Sequence, residues 1–180
     1  MTHINEFKKV TDSLGIFPDE LGVVMLDFEA IEDPGFLKEW FYYSSDAETW
    51  WTKGWVGGMA HLTLKYGFLK PASELKTEID ILLNGLPLPF VDVASVTHFQ
   101  TPGAPYAAIV LKLADDENLL EFHRRLSYLP HVDTFTPWVP HVTLAYVHPD
   151  NAIDAEELVN QFMLGRRLIP RALNLGEEKY

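Results

Sequence analysis

The chain has no cysteine among its 180 residues. That absence excludes disulfide staples, thiolate metal sites and a cysteine nucleophile. Basic residues are scarce as well: 14 Lys and Arg stand against 26 Asp and Glu, a formal net charge of −12. Binding to long nucleic acid draws on Lys and Arg that neutralise phosphates, so duplex DNA or RNA is not an expected partner. A local cluster of donors could still hold a small nucleotide. No uncharged apolar stretch reaches about 18 residues, which argues against a transmembrane helix and a membrane partner. The first ten residues, Met1 to Val10, are polar and offer no signal-peptide core. The expected compartment is the cytoplasm. With 47% hydrophobic residues and 11 Phe, 7 Tyr and 5 Trp, the apolar content suits one globular domain over 1–180, or two small lobes sharing a core.

What the chain does contain is a six-residue phrase written twice, His61-Leu62-Thr63-Leu64-Lys65-Tyr66 and His141-Val142-Thr143-Leu144-Ala145-Tyr146. Thr, Val, Leu and Tyr suit a pleated, half-buried surface, so both copies read as strands. Side chains alternate along a strand, which puts His and Thr of each copy on one face. Leu62, Leu64 and Tyr66, like Val142, Leu144 and Tyr146, then point to a core. Lys65, four residues after His61, shares the imidazole face by the same period and is the candidate cation for an anionic ligand, with a snorkelling surface lysine at the strand end as the competing reading.

Around these motifs the chain divides into short elements. The first twenty residues read as a helix or tail, and Leu21 to Phe28 as a buried strand. Asp33-Pro34 predicts a helix start, with Phe36, Leu37, Trp40 and Phe41 on one side. Trp50, Trp51 and Trp55 crowd with Gly54, Gly57 and Gly58 into a loop. Helices are expected over Pro71 to Leu83, Asp116 to Leu129 and Ala152 to Leu164. Strands are expected over Phe90 to Phe99, Tyr106 to Leu113 and Leu168 to Leu175. Each motif strand is thus followed by a helix and a strand, as a duplicated unit placed around a pseudo-two-fold axis would be.

These residues resemble the 2H phosphoesterase superfamily, defined by two His-x-(Thr/Ser)-x motifs. The segment Pro137-Trp138-Val139-Pro140-His141-Val142-Thr143-Leu144 is typical of its second motif, and the likeness runs from about Leu21 to Leu175. The resemblance implies an α+β, bilobal fold: two pseudo-symmetric antiparallel sheets flanked by helices around a central cleft, one lobe carrying each motif. It implies that His61 and His141 are catalytic and that Thr63 and Thr143 bind the substrate phosphate. It implies a phosphodiesterase acting on a 2′,3′-cyclic phosphate, a 2′,5′ linkage or a cyclic oligonucleotide. By the same analogy a phage member would degrade host cyclic-oligonucleotide signals in the host cytoplasm.

The chemistry agrees. Breaking a phosphodiester without a metal requires a base for the attacking oxygen and an acid for the leaving one. Imidazole, with an ordinary pKa of about 6.5, serves both tasks near neutrality. The threonine hydroxyls can donate to the non-bridging oxygens where charge builds. No cofactor is expected. A zinc site is not expected either, since neither motif has the His-x-His or His-x₃-His spacing that brings two imidazoles to one ion. Trp138 is a candidate for stacking on a base, with loop anchoring as the competing reading. Trp55, with Trp50 and Trp51, is a candidate for a glycine-hinged lid, with a hydrophobic plug between lobes as the competing reading. His3, His98, His123, His131 and His148 read as structural or solvated, and Arg124-Arg125 as solvent-facing. Two other functions compete: a protein that sequesters a nucleotide without cutting it, and an RNA 2′,5′-ligase-like end-processing enzyme.

Overall fold

The computed structural model describes residues 21–43, 54–133 and 137–176. Expectations for the first twenty residues, for Trp50 and for Trp51 lie outside them. Among the described residues seven strands form, β1 (Gly22–Phe28), β2 (His61–Phe68), β3 (Val91–Phe99), β4 (Ala107–Leu113), β5 (His141–Val147), β6 (Arg167–Leu168) and β7 (Pro170–Asn174). They build one antiparallel sheet in the order β6-β3-β4-β5-β2-β1-β7. Among the described residues three helices join it: α1 (Lys76–Leu83), α2 (Glu117–Leu126) and α3 (Ala152–Met163). The fold is α+β.

Each helix follows from its local sequence. Asp116 caps α2 by accepting a 2.8 Å hydrogen bond from the Leu119 amide, which satisfies a donor the helix itself cannot. Leu119, Phe122 and Leu126 then recur at helical spacing and are buried. In α3 the buried stripe is Ala152, Ala155, Val159 and Met163. These side chains join the inward residues of β1 to β5 in one continuous core, including Leu26, Leu62, Leu64, Ile109, Leu111, Val142 and Leu144. No helix among the described residues is long and apolar enough to cross a membrane.

The helix expected from Asp33 does not form. The Asp33 side chain accepts from the Gly35 amide at 2.8 Å, and Gly35 adopts φ +80°, which turns the chain instead of starting a helix. Only a single 3₁₀ turn follows, over Lys38–Trp40. Phe41 is drawn into a bridge with Val147, where the Tyr42 amide donates to the Tyr146 carbonyl. Tertiary pairing wins over the helical spacing of Phe36, Leu37, Trp40 and Phe41.

The two sheets expected from the repeat are halves of one sheet. β2 and β5 pair through one residue couple, Leu62 with Val142. They are antiparallel and overlap only at their N-terminal ends, so each runs on past the start of the other. The continuing part of β5 pairs with the chain leading into β2: the Val56 amide donates to the Leu144 carbonyl and the Tyr146 amide to the Gly54 carbonyl. The continuing part of β2 pairs reciprocally with the chain after α2, through Phe68 and His131. Far from this seam, the two sheet edges belong to one chain segment, because only Ile169 separates β6 from β7. Seven strands laid flat would hold their edges about 29 Å apart, at some 4.8 Å per neighbour. One residue cannot span that, so the sheet curls.

Candidate active site

Register decides which side chains share the site. With Leu62 opposite Val142, His61 stands opposite Thr143 and Thr63 opposite His141. The flanking strands extend these pairs into two rows on one face. One row reads Asp27, His61, Thr143, Val110; the other reads Met25, Thr63, His141, Lys112. The core lies on the opposite face, with Leu62 and Val142, so the imidazoles and hydroxyls are only half-buried. Directly opposed residues have Cβ atoms about 5 Å apart, and diagonal ones about 7–8 Å. The two histidines occupy one diagonal of this square and the two threonines the other. Each imidazole therefore has the other motif's hydroxyl beside it.

Both rings are oriented alike. His61 Nδ1 lies 2.9 Å from the Met59 carbonyl and His141 Nδ1 lies 2.7 Å from the Val139 carbonyl. A carbonyl can only accept, so Nδ1 carries hydrogen in each ring and Nε2 is the nitrogen through which a proton is exchanged. The ring of Phe99, partly exposed, meets His141 edge-on at 5.1 Å.

Lys65 is not on this face, contrary to the period of two. Val24 pairs with Lys65 but Met25 pairs with Thr63, so Leu64 is an extra residue in β2. β5 repeats the irregularity: Ile109 pairs with Ala145 and Val110 with Thr143, which makes Leu144 extra. Each bulge reverses the alternation after the threonine. Lys65 consequently joins Val24 on the core side, 6% exposed, where its ammonium donates to Asp133 at 2.8 Å. That ion pair lowers the Asp133 pKa. Tyr66 and Tyr146 move the other way, to the imidazole face, opposite Val23 and Ala108. Tyr146 packs edge-on against Tyr106 at 5.1 Å, and burial pushes its phenol pKa up.

The two tryptophans brace the seam. The Trp138 indole stacks on His123 at 4.0 Å and 6°, and its N–H donates to the Thr63 carbonyl at 3.1 Å. His123 Nδ1–H donates to the adjoining Leu64 carbonyl at 2.6 Å. Burial lowers the His123 pKa, against the opposing pull of that hydrogen bond. Trp55 bridges to Ala145 and donates from its indole to the Ile31 carbonyl at 2.9 Å. Both indoles spend their N–H groups on anchoring, and both pack against the core. These bonds fasten both rings by the N–H edge of the indole.

The remaining candidates lie away from the imidazole pair. His98 pairs with Glu156 on α3 at 2.7 Å, and His131 approaches Asp133 at 3.2 Å. Arg124 and Arg125 are not simply solvated. Both bind Glu121, whose carboxyl they hold at about 2, and Arg125 also donates to the Leu82 carbonyl at the end of α1. The charged neighbours that single-sequence reading missed are Asp27 and Lys112. Lys112 is the lone charge in Ala-Ala-Ile-Val-Leu-Lys-Leu, which is the one sequence signal that it does something other than pack.

An antiparallel sheet flanked by helices thus carries two imidazole–hydroxyl pairs on one face. In sequence, residues 55–175 match the profile of the 2′-5′ RNA ligase superfamily, about two thirds of the length. The chain belongs to this superfamily, the 2H phosphoesterases. No curated protein matches it in sequence. Among solved structures it is similar to Usb1 of Kluyveromyces marxianus, at 10% identity and a TM-score of 0.48, over 87% of this chain and 97% of that one.

Proposed function

We propose that this protein is a metal-independent phosphodiesterase that hydrolyses a small nucleotide phosphodiester. The substrate is a 2′,3′-cyclic phosphate, a 2′,5′ linkage or a cyclic oligonucleotide. The observation that carries the reading is the Leu62–Val142 register, which sets each histidine beside the other motif's threonine on one face. One imidazole takes a proton from water through Nε2 as the water oxygen attacks phosphorus. The bond from phosphorus to the leaving ribose oxygen breaks, and the second imidazole, protonated at the outset, gives that oxygen its proton. The two rings return to their starting states through solvent. Thr63 and Thr143 donate to the non-bridging oxygens, where negative charge grows in the transition state.

The test is an assay in EDTA with 2′,3′-cyclic mononucleotides, cyclic di- and trinucleotides and 2′,5′-oligoadenylate, with products resolved by chromatography. Wild type yields cleaved product from at least one of them. His61→Ala and His141→Ala each lose about 10²–10⁴-fold in rate. Retention of intact ligand by all three proteins would make this a nucleotide-sequestering protein. Joining of RNA ends in place of cleavage would make it a ligase.

A further inference from the structure

The two motifs repeat in sequence, but their flanks carry opposite charge. On the β1 side the residue opposite His61 is Asp27, and on the β4 side the residue opposite His141 is Lys112. We infer that Lys112 is the cation that binds the substrate phosphate, and that Asp27 keeps the anion toward the β4 side of the seam. The inference rests on the phosphodiesterase reading of this site and adds a binding residue to it.

Lys112 sits on the imidazole face, next to His141 in its row and next to Ser95 on β3 beyond it. Its Cβ is about 5 Å from that of His141, and a long side chain at that position reaches the diagonal neighbours too. Among the described residues, no hydrogen bond or ion pair engages its ammonium, and the side chain is half-buried. The other lysine of the motif region is committed elsewhere, since Lys65 lies on the core face bound to Asp133. Asp27 has a partner, the Asn174 amide at 3.3 Å, which fixes its carboxylate beside His61. An anion centred among His61, Thr63, His141 and Thr143 thus meets repulsion on one flank and attraction on the other. A phosphodiester seated there shifts toward Lys112, whose ammonium then lies against a non-bridging oxygen.

The decisive experiment measures inorganic phosphate binding by NMR, through the His61 and His141 Cε1–H resonances, alongside steady-state kinetics on the cleaved substrate. Lys112→Ala should weaken phosphate binding and lower kcat/KM by about 10- to 100-fold. Lys112→Arg should restore most of both. Asp27→Asn should tighten phosphate about two- to fivefold. Lys70→Ala, an exposed lysine outside the site, serves as the control and should change neither. Unchanged phosphate affinity and kcat/KM in Lys112→Ala would overturn the inference even with both histidine variants dead. Full activity in His61→Ala and His141→Ala would overturn the function itself. The phosphate titration needs no turnover, so it decides the role of Lys112 in either case.

Discussion

At the scale of single residues, the described histidines divide by what their Nδ1 groups and rings touch. In His61 and His141 a backbone carbonyl two residues earlier holds Nδ1–H, and the ring edge bearing Nε2 belongs to the half-buried face of the sheet. In His123 the same kind of bond serves packing: the ring is sandwiched under Trp138 and fastened to the Leu64 carbonyl. Burial lowers the His123 pKa in the folded protein below its ordinary 6.5. The unfolded chain then binds the proton more readily, so this group contributes stability that is complete above pH 6.5 and is lost as pH falls below it. His123→Phe keeps a ring against Trp138 and removes the titration. Its melting temperature should fall less than that of wild type between about pH 7.5 and 5.5. Equal falls in the two proteins would mean that His123 is not held neutral by its surroundings.

At the scale of elements, strand identity was legible and face identity was legible only up to the threonines. His61, Leu62 and Thr63 alternate as a regular strand should, and so do His141, Val142 and Thr143. One residue further on, the extra Leu64 and Leu144 reverse the pattern, and a bulge leaves no mark in a hydropathy pattern when the inserted residue is itself apolar. Lys65, Tyr66 and Tyr146 were misplaced for that reason alone. A second irregularity follows in β2, where Gly67 lies between the pairs Tyr66–Val23 and Phe68–Gly22 at φ +98°, a backbone state that only glycine adopts at no cost. Lys65→Met removes a positive charge from the core side, not from the site, so kcat/KM should change by less than about tenfold. A loss as large as that of a histidine variant would return Lys65 to the phosphate. The helices were legible from capping and apolar spacing, as in Asp116 with Leu119, Phe122 and Leu126. The helix expected after Asp33 failed because nothing in the segment itself announces the bridge from Phe41 to Val147.

At the scale of the whole molecule, the two copies of the motif lie in one sheet, and its register brings them together. A single residue pair connects β2 to β5 at one place, and the continuous segment β6–β7 ties the opposite edges together at another. Neither contact can be read from one sequence, because both are long-range registers. Yet the first of them decides whether two imidazoles 80 positions apart in the chain face one anion. Acid and base in this account come from different halves, and each half alone has only one proton carrier in place. The most direct measurement is the pH dependence of kcat/KM in EDTA, over roughly pH 5 to 9, for wild type, His61→Ala and His141→Ala. Wild type should give a bell, and each variant should lose a different limb of it. A flat wild-type profile, or two variants that keep the full bell, would contradict the two-histidine mechanism.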